Sequence, residues 1–225
     1  MALLFQSVLA VHIAAGAVAL SVFWVPLVTK KGGRTHRRAG WVYVVAAATL
    51  ALTAFLLCIQ LVSTGGPFRW RAGVFLAYVS ILAGASAQLG MRALRTKGRA
   101  GPSRRASDLV PPLLLVAGGV ALAAFGISRS MVLYVLFAGL GVVLGLSYLR
   151  FWLTPPAHER AWFLAHMSAM GTSSITTVTA FVVVNARRFG MRTFDPVLWA
   201  SPIVVLAVGL TMWRRYYARR FTDSR

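Results

Sequence analysis

Residues 3–29 read LLFQSVLAVHIAAGAVALSVFWVPLVT, and residues 30–40 read KKGGRTHRRAG. The first stretch is uncharged and long enough to cross the roughly 30 Å hydrocarbon core of a bilayer as a helix, which takes about 20 residues. The second is strongly basic, as expected where a chain emerges on the cytoplasmic side of a membrane. No positive cluster precedes the apolar run, so we expect it to stay attached as a first span.

Further apolar runs follow along the whole chain. With 58% hydrophobic and 12% charged residues, a water-soluble globule could not hide so much apolar surface. The runs show no alternation of apolar and polar residues, which argues against strands. We therefore predict an all-α, polytopic membrane helix bundle forming a single domain over 1–225. Its seven transmembrane helices lie near 3–29, 39–62, 72–92, 109–127, 131–150, 160–185 and 196–213.

Local signals bear on the ends of these helices. Asp195 followed by Pro196 is typical of a helix start, because the carboxylate caps free N–H groups and proline suits the first turn. Asp108 is expected to cap the fourth span in the same way. Only a short segment around Arg129 separates the fourth run from the fifth, so a re-entrant hairpin over 109–150 is the alternative to two full spans.

The basic residues predict the orientation. Of the 24 Lys and Arg, 18 fall on one side of a seven-span arrangement and six on the other. The richer side should be cytoplasmic, which places the N-terminus outside and the C-terminus in the cytoplasm. The richer side holds the Lys and Arg of 30–38, 92–105 and 214–225 with Arg150 and Arg160; the poorer side holds Arg69, Arg71, Arg129, Arg187, Arg188 and Arg192.

The net charge of +20, with only four carboxylates, would suit nucleic acid. Because the basic residues lie in short gaps between apolar runs, we expect them to contact anionic lipid headgroups on the cytoplasmic side instead, and we predict no nucleic-acid binding. The lone Cys58 allows neither an intramolecular disulfide nor a cysteine zinc site. Segment 92–107, rich in Arg, Gly and Ser, is predicted to be a flexible loop.

The histidines are the leading candidates for function, because ionisable groups inside spans are costly. His12 and His166 fall within spans, whereas His36 and His158 lie at cytoplasmic span ends. Imidazole suits zinc, copper and iron, and paired histidines hold haem b in membrane bundles. We predict that His12, His36 and His166 bind haem b or a transition metal. The metal set would be His36, His158, His166 and Glu159. The alternatives are no cofactor, with the span histidines bonded to neighbouring helices, and ion pairs with arginines for His158 and Glu159.

The sixth span is rich in hydroxyl groups. Met170, Ser173 and Thr177 share one helical face with His166. These residues are predicted to line a cavity or a proton path. The alternative is that the hydroxyls bond to carbonyls of the preceding turn and allow close helix packing.

Two other spans carry features that need internal partners. His12, Gly16 and Ala19 share a face of the first span that would admit either another helix or a flat macrocycle. Gln88, in the third span, needs a hydrogen-bond partner inside the bundle.

Three parts of the chain carry recognisable motifs: His12-x3-Gly16; Lys31-Gly32, His36-Arg37, Gly40 and Tyr43; and Trp162-x3-His166-x3-Met170 with Thr179-Ala180-Phe181 to Asn185. Together they resemble the bacterial predicted-membrane-protein family called domain of unknown function 2306. The chain departs from that pattern at Ser174, where we expect a tyrosine. The resemblance implies a multi-span protein of the bacterial inner membrane, draws attention to His12, His36 and His166, and implies no reaction.

Three functions follow as hypotheses. The first is a histidine site holding haem b or a metal for electron transfer or respiratory-complex assembly. The second is a transporter or small-molecule channel lined by the sixth span. The third is a non-catalytic accessory subunit of a membrane complex. Enzyme activity is left open. A serine hydrolase at Ser173 or Ser174 lacks a carboxylate in the span to orient His166, and a metal-dependent hydrolase would need Asp108 or Glu159.

Overall fold

The computed structural model describes residues 2–222, and none of these residues forms a β-strand. Seven helical segments are long and apolar enough to span a membrane, which confirms the predicted number and makes this an all-helical, multi-pass membrane protein. The helices are α1 Ala2–Val22, α2 Val25–Val28, α3 Arg34–Thr64, α4 Pro67–Arg95, α5 Ala106–Ser128, α6 Val132–Leu153, α7 Ala161–Asn185 and α8 Pro196–Thr222.

The first span is interrupted near its end. It consists of α1 and the four-residue α2, where the sequence suggests one uninterrupted run. Pro26 explains the interruption, because proline lacks an N–H and its ring clashes with the carbonyl four residues earlier, here that of Val22. The proline lies instead in the first turn of α2, a position that helices tolerate.

Helices α5 and α6 form a tightly packed hairpin. The turn contains Ser130, with a left-handed φ of 53°, and the N–H of Met131 donates to the carbonyl of Gly126 at 2.8 Å. A Cβ added to Gly145 would lie 2.9 Å from the carbonyl oxygen of Pro112, so only glycine allows this approach. At 23 and 22 residues, each helix rises about 33 Å. These lengths favour two full spans over a re-entrant hairpin.

The two predicted aspartate caps have different outcomes. Asp195 caps α8 as predicted, since its Oδ1 accepts hydrogen bonds from the N–H groups of Val197 at 2.8 Å and Leu198 at 3.3 Å. The prediction for Asp108 is wrong. It lies inside the first turn of α5, and its carboxylate binds other side chains.

The contacts group the described residues into two compact units, unit 1 within Met1–Gly84 and unit 2 within Ala85–Arg225, and α4 contributes to both. The prediction of a single domain stays a prediction. In unit 2 the C-terminal ends of α4, α6 and α8 lie at the same end as the starts of α5 and α7. Arg99 reaches the carbonyl of Phe151, and Arg160 lies over the ring of Phe221. We call this the basic end of unit 2.

Candidate functional site

His12 is hydrogen-bonded within unit 1. Its Nδ1 lies 3.0 Å from Oγ1 of Thr53 on α3. That hydroxyl donates its own hydrogen to the carbonyl of Thr49 at 2.7 Å, so it accepts from Nδ1–H of His12. The imidazole is therefore assigned the tautomer with the proton on Nδ1, and a neighbouring helix supplies its partner.

The small-residue face of α1 is occupied by a helix. Ala19 is fully buried and Ala15 is 8% exposed, and a Cβ on Gly16 would lie 3.6 Å from the side chain of Leu50 on α3. Of the two occupants suggested by the sequence, the structure places the helix there.

His36 lies at the start of α3 and bonds to the end of α2. Its Nδ1 donates to the carbonyl of Pro26 at 3.1 Å. The stretch of α3 from His36 to Thr53, the partner of His12, rises about 25 Å. His12 and His36 therefore cannot be the two axial ligands of one haem within unit 1.

Lys31 completes the cap at the end of α2. Its Nζ donates to the carbonyls of Pro26 at 2.7 Å and Leu27 at 2.6 Å. Burial lowers the pKa of the Lys31 ammonium. The free carbonyls of a helix C-terminus thus hold a cation in a region of unit 1 that has no carboxylate.

His166 joins α7 to α4 within unit 2. Its Nδ1 donates to the carbonyl of Gly90 at 2.8 Å. Met170, one turn further on, packs against the same glycine, where an added Cβ would come within 2.6 Å of its sulfur. Both side chains therefore contribute to the contact between the two helices.

The remaining stripe on α7 is also packed or internally bonded. Ser173 is 1% exposed, and Thr177 donates to the carbonyl of Ser173 at 3.1 Å. The same bond to the carbonyl four residues earlier recurs at Thr172, Ser174, Thr176 and Thr179. This pattern matches the packing alternative, and the role of Met170, Ser173 and Thr177 as cavity lining stays a prediction.

A buried ion pair fixes α4 to α5 at the basic end of unit 2. Nε of Arg92 donates to Oδ1 of Asp108 at 2.6 Å, and Nη2 donates to Oδ2 at 3.0 Å. Ser103 donates a further hydrogen bond to Oδ2 at 2.6 Å. The Asp108 side chain is 0% exposed and that of Arg92 17%. A carboxylate so enclosed needs all three donors to offset its lost hydration.

Gln88 repairs a proline-induced defect one turn before Arg92. In a regular helix the carbonyl of Ser107 would accept from the N–H of residue 111, but Pro111 has none. Nε2 of Gln88 donates to that carbonyl instead, at 2.6 Å. The partner that Gln88 needs inside the bundle is therefore a main-chain group.

Arg99 fastens the segment predicted to be flexible. Its guanidinium donates to the carbonyls of Gly101 at 2.7 Å, Phe151 at 2.6 Å, Trp152 at 3.2 Å and Thr154 at 2.8 Å. Burial lowers its pKa, partly offset by the charge of Asp108, yet a guanidinium stays protonated in proteins. The segment is therefore held against the C-terminal end of α6, since Phe151, Trp152 and Thr154 supply three of the four carbonyls.

A cavity of about 270 Å³ lies beside this segment at the basic end of unit 2. Among the groups lining it are Lys97, Arg99, His158, Glu159 and Trp162. Nζ of Lys97 lies 4.5 Å from the centroid of the Trp162 ring. The cavity thus combines an ammonium, a guanidinium, an imidazole, a carboxylate and an aromatic wall.

The metal set predicted from the sequence stays a prediction. His158 and Glu159 line the cavity of unit 2, His166 bonds to the carbonyl of Gly90, and His36 bonds to the carbonyl of Pro26. Within residues 2–222 no three His, Cys, Asp or Glu side chains form a group that could hold a metal ion. Among the side chains that the structure describes, no ion pair joins His158 or Glu159 to an arginine.

Lys97, Arg99 and Trp162 were missed as candidate site residues. Their signal was weak, because a basic loop beside an interfacial tryptophan is also what any cytoplasmic span end looks like. No protein family, curated protein or solved structure matches the chain. The likeness to domain of unknown function 2306 therefore stays a resemblance, and the site rests on its own geometry.

Proposed function

We propose that this is a multi-pass protein of a bacterial inner membrane, with its N-terminus outside and its C-terminus in the cytoplasm, that binds a small phosphate-bearing ligand on the cytoplasmic side. The excess of 18 cationic side chains over six supports the orientation. The grouping of the richer loops of unit 2 at one end agrees with it.

One observation supports the proposed ligand. The cavity contains a cation whose hydrogen-bond donors are not used by the described part of the protein. The ammonium of Lys97, an exposed side chain, lies over the face of Trp162, and among the described side chains it forms no hydrogen bond or ion pair. Arg99 adds a fixed positive charge, although main-chain carbonyls accept hydrogen bonds from both of its terminal nitrogens. An ammonium with unused donors beside a fixed guanidinium charge suits a phosphate group.

Binding of inorganic phosphate to the detergent-purified protein tests the proposal. In about 150 mM KCl, which screens exposed charges, isothermal titration should give saturable binding. Lys97→Gln should raise Kd roughly ten- to a hundredfold, since one charge-assisted hydrogen bond contributes about 1.5–3 kcal/mol.

The matched control is Lys30→Gln, an exposed lysine of unit 1 outside the cavity. It should bind phosphate like the unmodified protein. Absence of saturable binding, or equal Kd values for Lys97→Gln and the unmodified protein, would overturn the proposed function.

We also propose that the protein binds haem b or a transition metal, for electron transfer or assembly of a respiratory complex. The residue that supports this second proposal is His12. Ligating histidines commonly donate one ring N–H to a protein acceptor while the other nitrogen faces the metal. His12 has its Nδ1 so fixed by Thr53. The two-histidine form does not fit unit 1, so a single ligand is proposed. An absorption spectrum with metal analysis, compared with His12→Ala, tests it, and a missing Soret band with no stoichiometric metal would exclude it.

The transporter or channel function and the accessory role in a membrane complex stay predictions. If the protein is a transporter or channel, both His166→Ala and Thr177→Val should lose flux. If it is an accessory subunit, it should co-purify with a larger membrane complex.

A further inference from the structure

We infer that the ligand of the cavity carries a primary ammonium beside its phosphate, and that Glu159 recognises this ammonium. The inference rests on the proposed phosphate site and names its substrate class. It starts from the scarcity of negative charge in the chain, which has four carboxylates against 24 Lys and Arg.

The other described carboxylates have structural partners. Asp108 is enclosed by Arg92 and Ser103, and Asp195 caps α8. Glu159 lines the cavity together with Lys97 and Arg99, yet within residues 2–222 no ion pair is recorded for it. Glu159 is an exposed side chain, and among the described carboxylates it is the one that lines the cavity without a protein cation.

The neighbouring Arg160 forms no ion pair with Glu159. The guanidinium of Arg160 lies over the ring of Phe221, 4.9 Å from its centroid. The cavity therefore presents positive groups and a negative group that do not pair with each other. A zwitterionic ligand would satisfy both.

The type of ammonium follows from hydrogen bonding. A primary ammonium offers three N–H donors to a carboxylate, whereas a quaternary ammonium offers none and is recognised by aromatic faces. The aromatic rings that line the cavity, Trp162 and Phe151, are already contacted by Lys97 and Arg99. The cavity should therefore prefer an ethanolamine-type group over a choline-type group.

The cavity also lies where such a group would be found. It is bounded by Phe151 near the end of α6 and Trp162 near the start of α7, the headgroup level of a bilayer. The chemistry is a phosphodiester bearing a primary ammonium, supplied either by a lipid headgroup or by its soluble glycerol derivative.

Titration with four soluble probes tests the inference on the full chain. The probes are glycerophosphoethanolamine, glycerophosphocholine, glycerol 3-phosphate and inorganic phosphate. The unmodified protein should bind the ethanolamine probe about tenfold more tightly than the choline probe. Glu159→Gln should abolish that preference and bind inorganic phosphate several-fold more tightly, because a nearby negative charge no longer repels the anion. Glu159→Asp should retain part of the preference.

The outcomes separate this inference from the function it rests on. Phosphate binding without an ethanolamine preference, or a preference that survives Glu159→Gln, overturns the inference alone. Loss of all phosphate binding overturns the proposed function as well. If the preference holds, nanodiscs identify the source: ethanolamine lipid that displaces the soluble probe indicates a headgroup, and an unaffected probe indicates the soluble ligand.

Discussion

The two units use different groups to bind cationic side chains that are removed from water. Unit 1 contains no Asp or Glu, so its Lys31 and His36 bond to main-chain carbonyls at the end of α2. Unit 2 contains carboxylates and places one of them, Asp108, fully buried against Arg92. Even there a second cation, Arg99, relies on carbonyls at the end of α6.

The difference teaches that a helix C-terminus can replace a counter-ion. Its last carbonyls lack intrahelical partners and carry a partial negative charge of about half a unit. A dipole of this kind binds a cation without adding a second charge that must itself be desolvated. A buried ion pair is therefore the more fragile arrangement, because removing one partner leaves an unpaired charge.

The largest expected effect comes from breaking the ion pair of unit 2. Asp108→Leu should lower the free energy of unfolding by about 3 kcal/mol, since Arg92 is then left partly buried without a counter-charge. Unfolding followed by circular dichroism in detergent at fixed pH measures this loss.

The double variant Arg92→Met/Asp108→Leu is the control, because it removes both charges together. It should recover most of the lost stability, since apolar replacement of both partners is often near neutral. Strictly additive losses would show that the two charges do not act as a pair.

Sequence patterns predicted the number and positions of the helices well, but they did not predict the side-chain contacts that hold the helices together. Length and hydropathy sufficed for seven spans, and the Asp195-Pro196 dipeptide sufficed for the start of α8. Asp108 offered the same local signal, yet its partner Arg92 lies on another helix, and only the packed bundle brings the two together. Helix-capping patterns involve only residues that are close in sequence, so they cannot predict a partner on another helix.

The candidate site was less predictable for a related reason. His158 and Glu159 were singled out, but for a metal or for ion pairs. Lys97 and Arg99 gained their roles only when the basic segment bonded to the end of α6. Some cations of a basic loop bond to carbonyls, and others remain available to a ligand. Only the three-dimensional contacts decide which cation does which.

A smaller effect is expected where unit 2 itself uses a neutral side chain on a carbonyl. Gln88→Leu should lower the free energy of unfolding by about 1 kcal/mol, because the carbonyl of Ser107 then has no donor. The same unfolding measurement applies.

A double-mutant cycle with Pro111 isolates the contribution of the hydrogen bond between Gln88 and the carbonyl of Ser107. Pro111→Ala restores an N–H for Ser107, so Gln88→Leu should cost much less in that background than in the unmodified chain. An equal cost in both backgrounds would mean that Gln88 stabilises the protein by packing rather than by the hydrogen bond.

The smallest expected effect concerns the carbonyl-bound cation of unit 1. Lys31→Met removes two hydrogen bonds to the end of α2 but also removes an ammonium whose pKa is lowered by burial, so the two contributions oppose each other. The net loss should be below about 1 kcal/mol. Lys30→Met is the matched control, since this neighbouring side chain is exposed and should show no measurable change. A loss at Lys31 as large as that at Asp108 would contradict the comparison, because it would show that a helix end binds a cation as tightly as a carboxylate does.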